Sequence, residues 1–533
     1  MAYEFLNRAQ IQDALNSTLL QLGARLSAED VTRLAEYRRK WNFYEGYHWE
    51  DIERTDKTEV TKNYCRPFVN KLVAFELGTG FSIKMKPDVE EHVLPYLTEV
   101  WDDNGKEKFC GEFGQMKSVT GDGWIQVSYS PKRLADGTLN PQLYDPYNEY
   151  EKGRVRVTVV PSNIIFPEYA NGYDKDRLIK VTIMYPIYKD LENKQQPVIY
   201  KQVWTQDTVQ EFVGQEMIRE VENKYKVIPF FHCKNIPIAG RTYGQSDLDD
   251  IIPLNVELNA KSSDVSEIID YHSAPVTIIY GARIGQLEKG ANKVWGGLPK
   301  DAKVENLGLN GDLQASKSYL EDIKKSMHEV GNVPPIALGG DLAISNTSGV
   351  ALQTAFQPLL DVVKTKRSET MRVLQEVNKF IILIGLKEGL ICDCDDTKLE
   401  KWKKGDFYTK DIFSNEVIFD ENLPKDKLIE IQAIQLEMKL GLCDREEGMK
   451  RLGKRNIQKR ISEIDKDREK YPEIYGLPTE EEKEAMMSKS SVDGAGRVKE
   501  VMKRPLGTNK AGNEVQVNAG LQNSQEKKAN TNS

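Results

Sequence analysis

The sequence predicts an α+β protein, and three features of its pattern lead to that class. Between about residues 120 and 237, apolar and polar residues alternate with a period of two, which is typical of antiparallel strands. Three later segments instead repeat their apolar residues at helical spacing. Residues 481–533 are polar and lack aromatic side chains, so we expect a disordered tail. Strands grouped in one part of the chain and helices in another favour α+β over an alternating α/β fold.

The N-terminal part is predicted to begin with helices. Ser27 and Asp30 form a capping-box pattern before a helix, and Gly46 can end that helix. A second helix is expected over the segment "RPFVNKLVAFELG", which ends at Gly78. With the strands that follow, these helices make a mixed region that ends near Pro237.

Helices dominate the middle of the chain. A first long helix is expected within residues 241–272, with Pro253 tolerated only in its first turns or at a kink. A glycine-rich β excursion (273–315) separates it from a second helix that ends before Pro334. The order is therefore helix, β excursion, helix, and then a further loop.

That loop, residues 336–349, contains Gly339 and Gly340 and leads directly into a third helix. The third helix is expected from about Gly349 to Gly389, and Pro358 is expected to kink it or mark its first turns. A short β-like patch follows, and then a charged helical region from Lys425 to about residue 470.

Composition limits the kinds of function that the chain can have. Its 533 residues carry a formal net charge of -8, and a dedicated nucleic-acid binder would usually be basic. Any part of this chain that touches DNA is therefore expected to let it pass rather than to grip it. The longest apolar run, residues 380–386, is far shorter than the roughly 20 residues of a membrane span. Without a signal-peptide pattern or a disulfide framework, a soluble protein of a reducing compartment is expected.

Few residues suggest catalysis or metal binding, and each has a simpler interpretation. "CDCDD" (392–396) lacks the second pair of ligands that a zinc site usually needs. His232 and Cys233 are neighbours in a predicted strand, so their side chains should point to opposite faces. The glycines of the loop are not followed by the lysine of a phosphate-binding motif. We therefore predict no catalytic residue, no metal site and no cofactor.

Basic side chains on the second and third helices are candidates for contact with DNA. In a single chain they would be read as solvated helix faces, but in a symmetric oligomer one exposed lysine becomes a ring of lysines. The candidates are Lys324, Lys325, Lys364, Lys366 and Arg367.

Three hypotheses of function are open. The first, a non-catalytic ring whose channel passes DNA, is what the family resemblance described next implies. The second is a metal- or nucleotide-dependent enzyme of phage or mobile-element origin, which would need "CDCDD" or His232 and Cys233 to meet carboxylates in a pocket. The third is a monomeric DNA-binding replication or adaptor protein, which should show a concentrated basic face.

In their order and residue composition, several segments of this chain resemble those of the portal proteins of tailed bacteriophages. The resemblance extends over roughly residues 30–470, and the "SGVAL" that starts the third helix is its most specific piece. The segments that carry it are "WNFYEGYHW" and "NYCRPFVNKLVAFELGTGFSIK", the stretch 240–281, and the stretch 331–367.

This resemblance implies a portal-like architecture: a mixed α/β wing, a long helical stem, a small β clip and a helical crown. The wing would be 1–240, the stem helices 241–272 and 316–335, and the clip 273–315. The long helix and its return to the wing would take 350–424. The crown would be 425–480, and 481–533 the disordered tail.

The resemblance also implies partners and a place. Portal proteins form a homo-oligomeric ring, commonly of twelve subunits, at a capsid vertex of the virion, and they assemble in the host cytoplasm. Double-stranded DNA passes through the channel during packaging and ejection. Expected partners are the terminase, the major capsid and scaffolding proteins, and the head-completion (adaptor) and tail proteins; no membrane is involved.

In such a ring, residues 336–349 would be the tunnel loop around the channel. Asp341 is the only charged residue between Gly339 and Asp361, so the loop should touch DNA by shape rather than by binding phosphates. The expected tunnel-loop residues are Gly339, Gly340, Asp341, Ser345, Asn346, Thr347 and Ser348.

Overall fold

The chain divides into two compact units, Met1–Pro424 and Lys425–Ser533, and each is described by itself. Both come from a computed structural model. The residues that the structure describes are 4–5, 26–50, 58–134, 136–143, 153–171, 177–188, 197–273, 277–280, 301, 303–306, 313–339, 349–391, 400–404, 407–419, 427–452 and 457–470.

The first unit is a mixed α+β structure with antiparallel strands, as the sequence predicts. Its helices are α1 (Ala28–Glu45), α2 (Cys65–Leu77), α3 (Pro87–Asp103), α4 (Lys106–Thr120), α5 (Ile251–Ser273), α6 (Leu313–Val330) and α7 (Gly349–Lys387). Its strands are β1 (Glu4–Phe5), β2 (Ser82–Met85), β3 (Asp122–Ser130), β4 (Arg154–Val160), β5 (Ile165–Tyr169), β6 (Leu178–Tyr188), β7 (Pro197–Thr205), β8 (Thr208–Val213), β9 (Glu216–Glu222), β10 (Phe230–Lys234), β11 (Thr277–Tyr280), β12 (Lys303–Asn306), β13 (Lys403–Lys404), β14 (Phe407–Tyr408) and β15 (Asn415–Ile418).

The strands form two main sheets. In the larger one the order is β1-β6-β7-β8-β9, with β5 also paired to β6. The smaller one has the order β10-β3-β4. Three further antiparallel pairs join β11 with β12, β13 with β14, and β15 with β2. The β11–β12 pair lies inside the predicted β excursion, so strands are present there as expected.

The helix ends follow the local signals in the sequence. The Ser27 hydroxyl accepts a hydrogen bond from the Asp30 backbone N–H at 3.1 Å, which caps α1 as predicted. At the other end Gly46 has φ = +105°, a left-handed conformation that glycine adopts without strain. In α5 Pro253 is the third residue, where its missing N–H leaves no intrahelical bond unmade.

The three long helices of the middle region are confirmed, and all three share one hydrophobic core with α1, α2 and α4. The helix α7 continues through Pro358 for 39 residues. Its first half packs in this shared core through residues such as Phe356 and Val363. Its second half packs in another core, formed with α3, α4 and the smaller sheet, through residues such as Val373 and Ile381. The helix therefore changes core partners near its middle.

The described residues of the second unit form the helices α8 (Lys427–Lys439), α9 (Arg445–Arg451) and α10 (Ile457–Lys470), in the region predicted to be helical. The Asp444 carboxylate caps α9 by accepting from the backbone N–H of Glu447 at 2.7 Å. Arg451 pairs with Glu437 of α8, and Arg445 pairs with Asp465 of α10, both at 2.5 Å. These ion pairs connect the three helices within the unit.

Candidate functional site

Two of the five basic candidates lie on α6. Lys325 is exposed and its ammonium is 3.8 Å from the exposed carboxylate of Glu329, one helical turn away. Such a surface pair is expected to contribute at most about 1 kcal/mol. Lys324 is half-buried and close to Lys62, whose pKa is lowered first by burial and then by the Lys324 charge. The positive charges of Lys324 on α6 and of Lys62 therefore lie near each other.

The three candidates on α7 differ in burial: one side chain is exposed, one is fully buried and one is half-buried. Lys364 is exposed. Lys366 is fully buried and paired within the chain, which argues against the expectation that it lines a channel. The reason is the helical period, because Lys366 lies three residues after the buried Val363 and four before the buried Thr370.

The buried Lys366 belongs to a group of four charged side chains. Its Nζ is 2.6 Å from Asp247 Oδ2 and 3.5 Å from Glu76 Oε2. Lys117 of α4 pairs with the other oxygen of Glu76. All four side chains are at most 1% exposed. Two ammonium groups face two carboxylates, so the group is electrically balanced, as buried charges must be.

Neutral side chains add further hydrogen bonds to this group. Lys117 Nζ donates to Thr370 Oγ1 at 2.8 Å, and Lys366 Nζ donates to Ser118 Oγ at 3.0 Å. Thr370 Oγ1 in turn is 2.9 Å from Glu76 Oε1. We call Glu76, Lys117, Asp247 and Lys366 the buried charge cluster.

The cluster keeps its ionised form by mutual attraction. Burial alone would raise the pKa of Glu76, but Lys117 and Lys366 outweigh burial and hold this pKa below its usual value. Burial alone would lower the pKa of Lys366, yet Asp247 and Glu76 raise it. The cluster joins the end of α2, the helix α4, the turn before α5 and the middle of α7. It lies where α7 passes from one core to the other.

Arg367 also bonds within the chain. It is half-buried, and its guanidinium donates to the backbone carbonyls of Phe75 and Glu76 at 2.9 and 3.0 Å. The same guanidinium lies 5.3 Å from the centre of the Phe419 ring. These contacts attach α7 to the end of α2, which accepts through carbonyls that helix ends leave unpaired.

Of the expected tunnel-loop residues, Gly339 is the one within the described part of the chain. It ends a short 3₁₀ turn, Pro335–Leu338, and its φ of +84° is left-handed. No heavy atom outside its chain neighbours lies within 4 Å of the place a Cβ would take, so backbone conformation alone explains glycine here. Gly340, Asp341, Ser345, Asn346, Thr347 and Ser348 lie outside the described residues.

A second polar arrangement connects α5 to an extended segment of the chain. Residues 58–64, which we call the strap, run along α5, and four side chains of α5 accept hydrogen bonds from strap backbone N–H groups. We call these four side chains the polar ladder. The bonds are Thr58 N to Glu267 Oε1 (3.2 Å), Val60 N to Ser263 Oγ (3.0 Å), Lys62 N to Asn259 Oδ1 (2.9 Å) and Tyr64 N to Asn255 Oδ1 (3.0 Å).

The ladder works because two spacings nearly agree. Four helical residues rise about 6 Å, and two extended residues span about 6.6 Å. Every second backbone N–H of the strap therefore meets every fourth side chain of α5. The sequence contained this signal as polar residues at positions 255, 259, 263 and 267. The apolar stripe of the same segment gives no indication of these polar residues' role.

His48 lies beneath the ladder. Its side chain is buried, its Nε2 is 3.0 Å from the Phe43 carbonyl, and its Nδ1 is 2.6 Å from Asn259 Nδ2 and 3.2 Å from Asn255 Nδ2. The ladder is thus bonded on its other side to the end of α1. Sequence reasoning gave no role to His48.

His232 and Cys233 point to opposite sides of β10, as predicted. His232 Nε2 donates to Asp122 Oδ1 at 2.8 Å, and its Nδ1 is 3.1 Å from the Tyr169 hydroxyl. Its ring is stacked on Trp124 at 4.3 Å between centroids. Burial raises the pKa of the Cys233 thiol to about 11, so the thiolate that a nucleophile requires is not formed near neutral pH.

Part of the His232 ring borders a small cleft. The cleft has a volume of about 170 Å³, and its walls include Tyr169, Lys234, Arg372 and Glu376. The carboxylate of Asp122 is fully buried and also accepts from the Tyr37 hydroxyl and from the Gly244 N–H. This carboxylate therefore holds together α1, the start of β3 and the segment after β10, which is a structural role.

Within the described part of the chain, no three His, Cys, Asp or Glu side chains converge in a way that could hold a metal ion. The "CDCDD" segment lies outside it. None of the described helices combines the length and apolar character that crossing a membrane requires.

Among the solved structures with partial similarity to this chain are particles of gene transfer agents. The neck of a native gene transfer agent particle computed with C12 symmetry has 14% identity and a TM-score of 0.39, covering 73% of this chain and 89% of that chain. The neck of an empty particle computed with C6 symmetry has 13% identity and a TM-score of 0.40, with the same coverage. No curated protein matches the chain.

The sequence itself matches a protein family over most of its length. The family is described as "Phage portal protein, SPP1 Gp6-like", and the match covers residues 24–473. It includes the helices α1 to α7, both main sheets except strand β1, and the helices of the second unit up to Lys470. The chain belongs to the SPP1 Gp6-like family of phage portal proteins.

Proposed function

We propose that this portal protein forms a ring of twelve subunits at one capsid vertex, through which double-stranded DNA is packaged and later ejected. The observation that carries the proposal is the family match over residues 24–473. The order of α5, α6, Gly339 and α7 supports it, because this order is the one expected of stem helices, tunnel loop and long helix. In this assignment residues 1–240 are the wing, 273–315 the clip and 425–480 the crown.

The channel in this proposal passes DNA with little attraction. The formal net charge of -8 and the single Asp341 between Gly339 and Asp361 provide few partners for phosphate. Each phosphate contact would strengthen binding and would have to be broken for DNA to move. Lys324, Lys325 and Lys364 are the basic candidates for the channel wall. The burial of Lys366 and the bonds of Arg367 within the chain argue against these two residues.

The remaining parts of the proposal concern partners and catalysis. The ring would receive the terminase during packaging and later the head-completion and tail proteins, and it would assemble in the host cytoplasm with capsid and scaffolding proteins. We assign it no catalytic step. The high pKa of the Cys233 thiol supports this view, because the nucleophile hypothesis requires a thiolate.

The size of the purified protein tests the proposal. We expect a particle near twelve times the chain mass of 60.7 kDa by light scattering, and rings with a central channel in negative-stain images. A stable monomer with hydrolytic activity would contradict the proposal.

A further inference from the structure

The bonds of His48 define which of its ring nitrogens carries the proton. Nε2 lies 3.0 Å from the Phe43 carbonyl oxygen, which can only accept, so Nε2 carries the hydrogen. Nδ1 faces the amide nitrogens of Asn259 and Asn255, at 2.6 and 3.2 Å, so Nδ1 accepts. The imidazole is therefore neutral in this arrangement.

The strap fixes the orientation of both asparagine amides. Asn259 Oδ1 accepts from the backbone N–H of Lys62 at 2.9 Å. Asn255 Oδ1 accepts from the backbone N–H of Tyr64 at 3.0 Å, while its Nδ2 donates to the Lys62 carbonyl at 3.0 Å. Each amide oxygen faces the strap, and each amide nitrogen faces His48. Turning either amide over would place its nitrogen against a backbone N–H.

We propose that His48 is a pH-sensitive lock that holds the strap on α5 when its imidazole is neutral and releases the strap when Nδ1 is protonated. A proton on Nδ1 puts an N–H group 2.6 Å from the amide nitrogen of Asn259, where two donors face each other. The contact is relieved if Asn259 and Asn255 turn their oxygens toward the imidazolium. The backbone N–H groups of Lys62 and Tyr64 then lose their acceptors.

The charged groups around His48 do not replace the missing acceptor. On the strap, the Lys62 ammonium donates a hydrogen bond to Ser262 Oγ at 2.9 Å. Lys324 of α6 adds a further positive charge beside Lys62. On α5, Glu267 is three helical turns from Asn255 and accepts from Thr58. After α1, the Glu50 carboxylate accepts from Asn42 at 2.7 Å.

The remaining titratable neighbours keep to other partners. Burial raises the pKa of the Cys65 thiol, 3.8 Å from Asn255 Oδ1, to about 12, so this thiol stays neutral. Glu257 of α5 accepts from the Tyr319 hydroxyl at 3.4 Å. The bonds described at the two imidazole nitrogens thus come from one carbonyl and two amides.

The direction of the pH effect follows from burial. Burial lowers the pKa of His48, and the bond to Phe43 offsets this only in part. An unfolded histidine titrates near pH 6.5. The unfolded or released segment therefore binds a proton before the locked one does, so the lock is fully effective above about pH 6.5 and weakens as the pH falls toward the folded pKa.

Hydrogen–deuterium exchange of the assembled full-length protein tests the lock. After correction for the intrinsic pH dependence of exchange, we expect the protection of a peptide covering residues 58–64 to fall severalfold between pH 7.5 and pH 5, because the released segment binds a proton more readily than the locked one. Exchange at the imidazole C2 position of His48 in the same sample should report a pKa below 6.5. Unchanged strap protection, or an unshifted His48 pKa, would overturn the proposal.

Two variants make the test specific to His48. In His48→Gln an amide supplies a donor and an acceptor that do not titrate, so strap protection should become independent of pH. In Asn259→Asp the carboxylate still accepts from Lys62 and favours the imidazolium, so the strap should be better protected at pH 5 than at pH 7.5. His92→Gln, on α3, is the matched control and should behave as the wild type does.

The variants also separate the lock from a general loss of structure. Exchange in peptides from β3 and β10 should be the same in all four proteins at pH 7.5. If His48→Gln keeps the wild-type pH dependence of the strap, the group that titrates is not His48 and the proposal fails. A pH dependence in Asn259→Asp with the same sign as in the wild type would contradict it too.

Discussion

At the scale of single residues, position within the helical period decides what a lysine does. Lys364 and Lys366 are two residues apart on α7, yet one is exposed and the other is fully buried in the buried charge cluster. The sequence pattern could have indicated this, since Lys366 is in phase with Val363 and Val373 of the apolar stripe. Its partners could not be predicted, because Glu76 and Asp247 are distant along the chain and meet it only in the fold.

We predict that Lys366→Ala strongly destabilises the first unit. The change leaves Asp247 and Glu76 buried with one positive partner, Lys117, and breaking a buried ion pair from one side costs about 3–5 kcal/mol. Urea unfolding followed by tryptophan fluorescence should show the loss.

The matched control is Lys364→Ala on the same helix, which should change stability by less than about 0.5 kcal/mol. Equal effects of the two substitutions would show that burial of Lys366 is not what makes it important. The double variant Lys366→Met with Asp247→Leu should recover part of the loss, because it removes the carboxylate left in excess and keeps the Glu76–Lys117 pair.

At the scale of elements, the helices were predicted well, but the hydrogen bonds between distant elements were not. The bounds of α5, α6 and α7 follow from apolar period, prolines and glycines, all of which act locally. The strap and the polar ladder escaped because their bonds join residues about 190 to 210 positions apart, such as Tyr64 and Asn255. Local patterns indicate which residues form a helix, but they do not identify the segment that will lie along it.

The junction after α6 offers a test of packing between elements. A Cβ at Gly331 would lie 2.6 Å from the Phe68 ring of α2 and 2.8 Å from the Ile251 side chain of α5. Gly331→Ala should therefore destabilise the protein by about 1–3 kcal/mol, the usual cost of overpacking. The measurement is the shift of the urea midpoint.

Gly111→Ala on α4 is the control for the glycine substitution itself. Nothing lies within 4 Å of a Cβ added at Gly111. Alanine inside a helix is favoured over glycine by roughly 0.5–1 kcal/mol, so this variant should be slightly more stable. If both variants shifted the midpoint in the same direction, close packing at Gly331 would not be the cause.

At the scale of the whole molecule, the portal assignment makes a prediction about DNA passage. Deleting residues 339–346 should leave the ring intact, because the shared core is built by residues of α5, α6 and α7 outside this stretch. DNA packaging or retention should be impaired, since these residues would surround the channel. Particle mass and the DNA content of assembled capsids are the two measurements.

Removal of eight residues from the polar tail, 519–526, is the control and should affect neither measurement. Collapse of the ring on deletion of 339–346 would show that these residues hold subunits together. Normal packaging would show that they do not line the channel.

At this scale, the sequence predicted the features that depend on the order of helices and strands along the chain. The sequence of strands, helix, β excursion, helix, loop and long helix led to the portal family, which the match over residues 24–473 confirms. What it could not reach was the internal bonding. Lys366, Arg367 and His48 all use their polar atoms within the chain, and only the folded arrangement shows this.

The polar ladder has a built-in limit on its length. Each step advances about 6 Å along the helix but about 6.6 Å along the strap, so donors and acceptors drift apart by about 0.6 Å per step. If the middle of the ladder is in register, one step beyond either end would be misaligned by more than about 1 Å, a large part of a hydrogen bond's tolerance. A slip of the strap by one residue would turn its other N–H groups toward α5. The strap can therefore attach to α5 over only a few steps, and the geometry of these steps fixes its register.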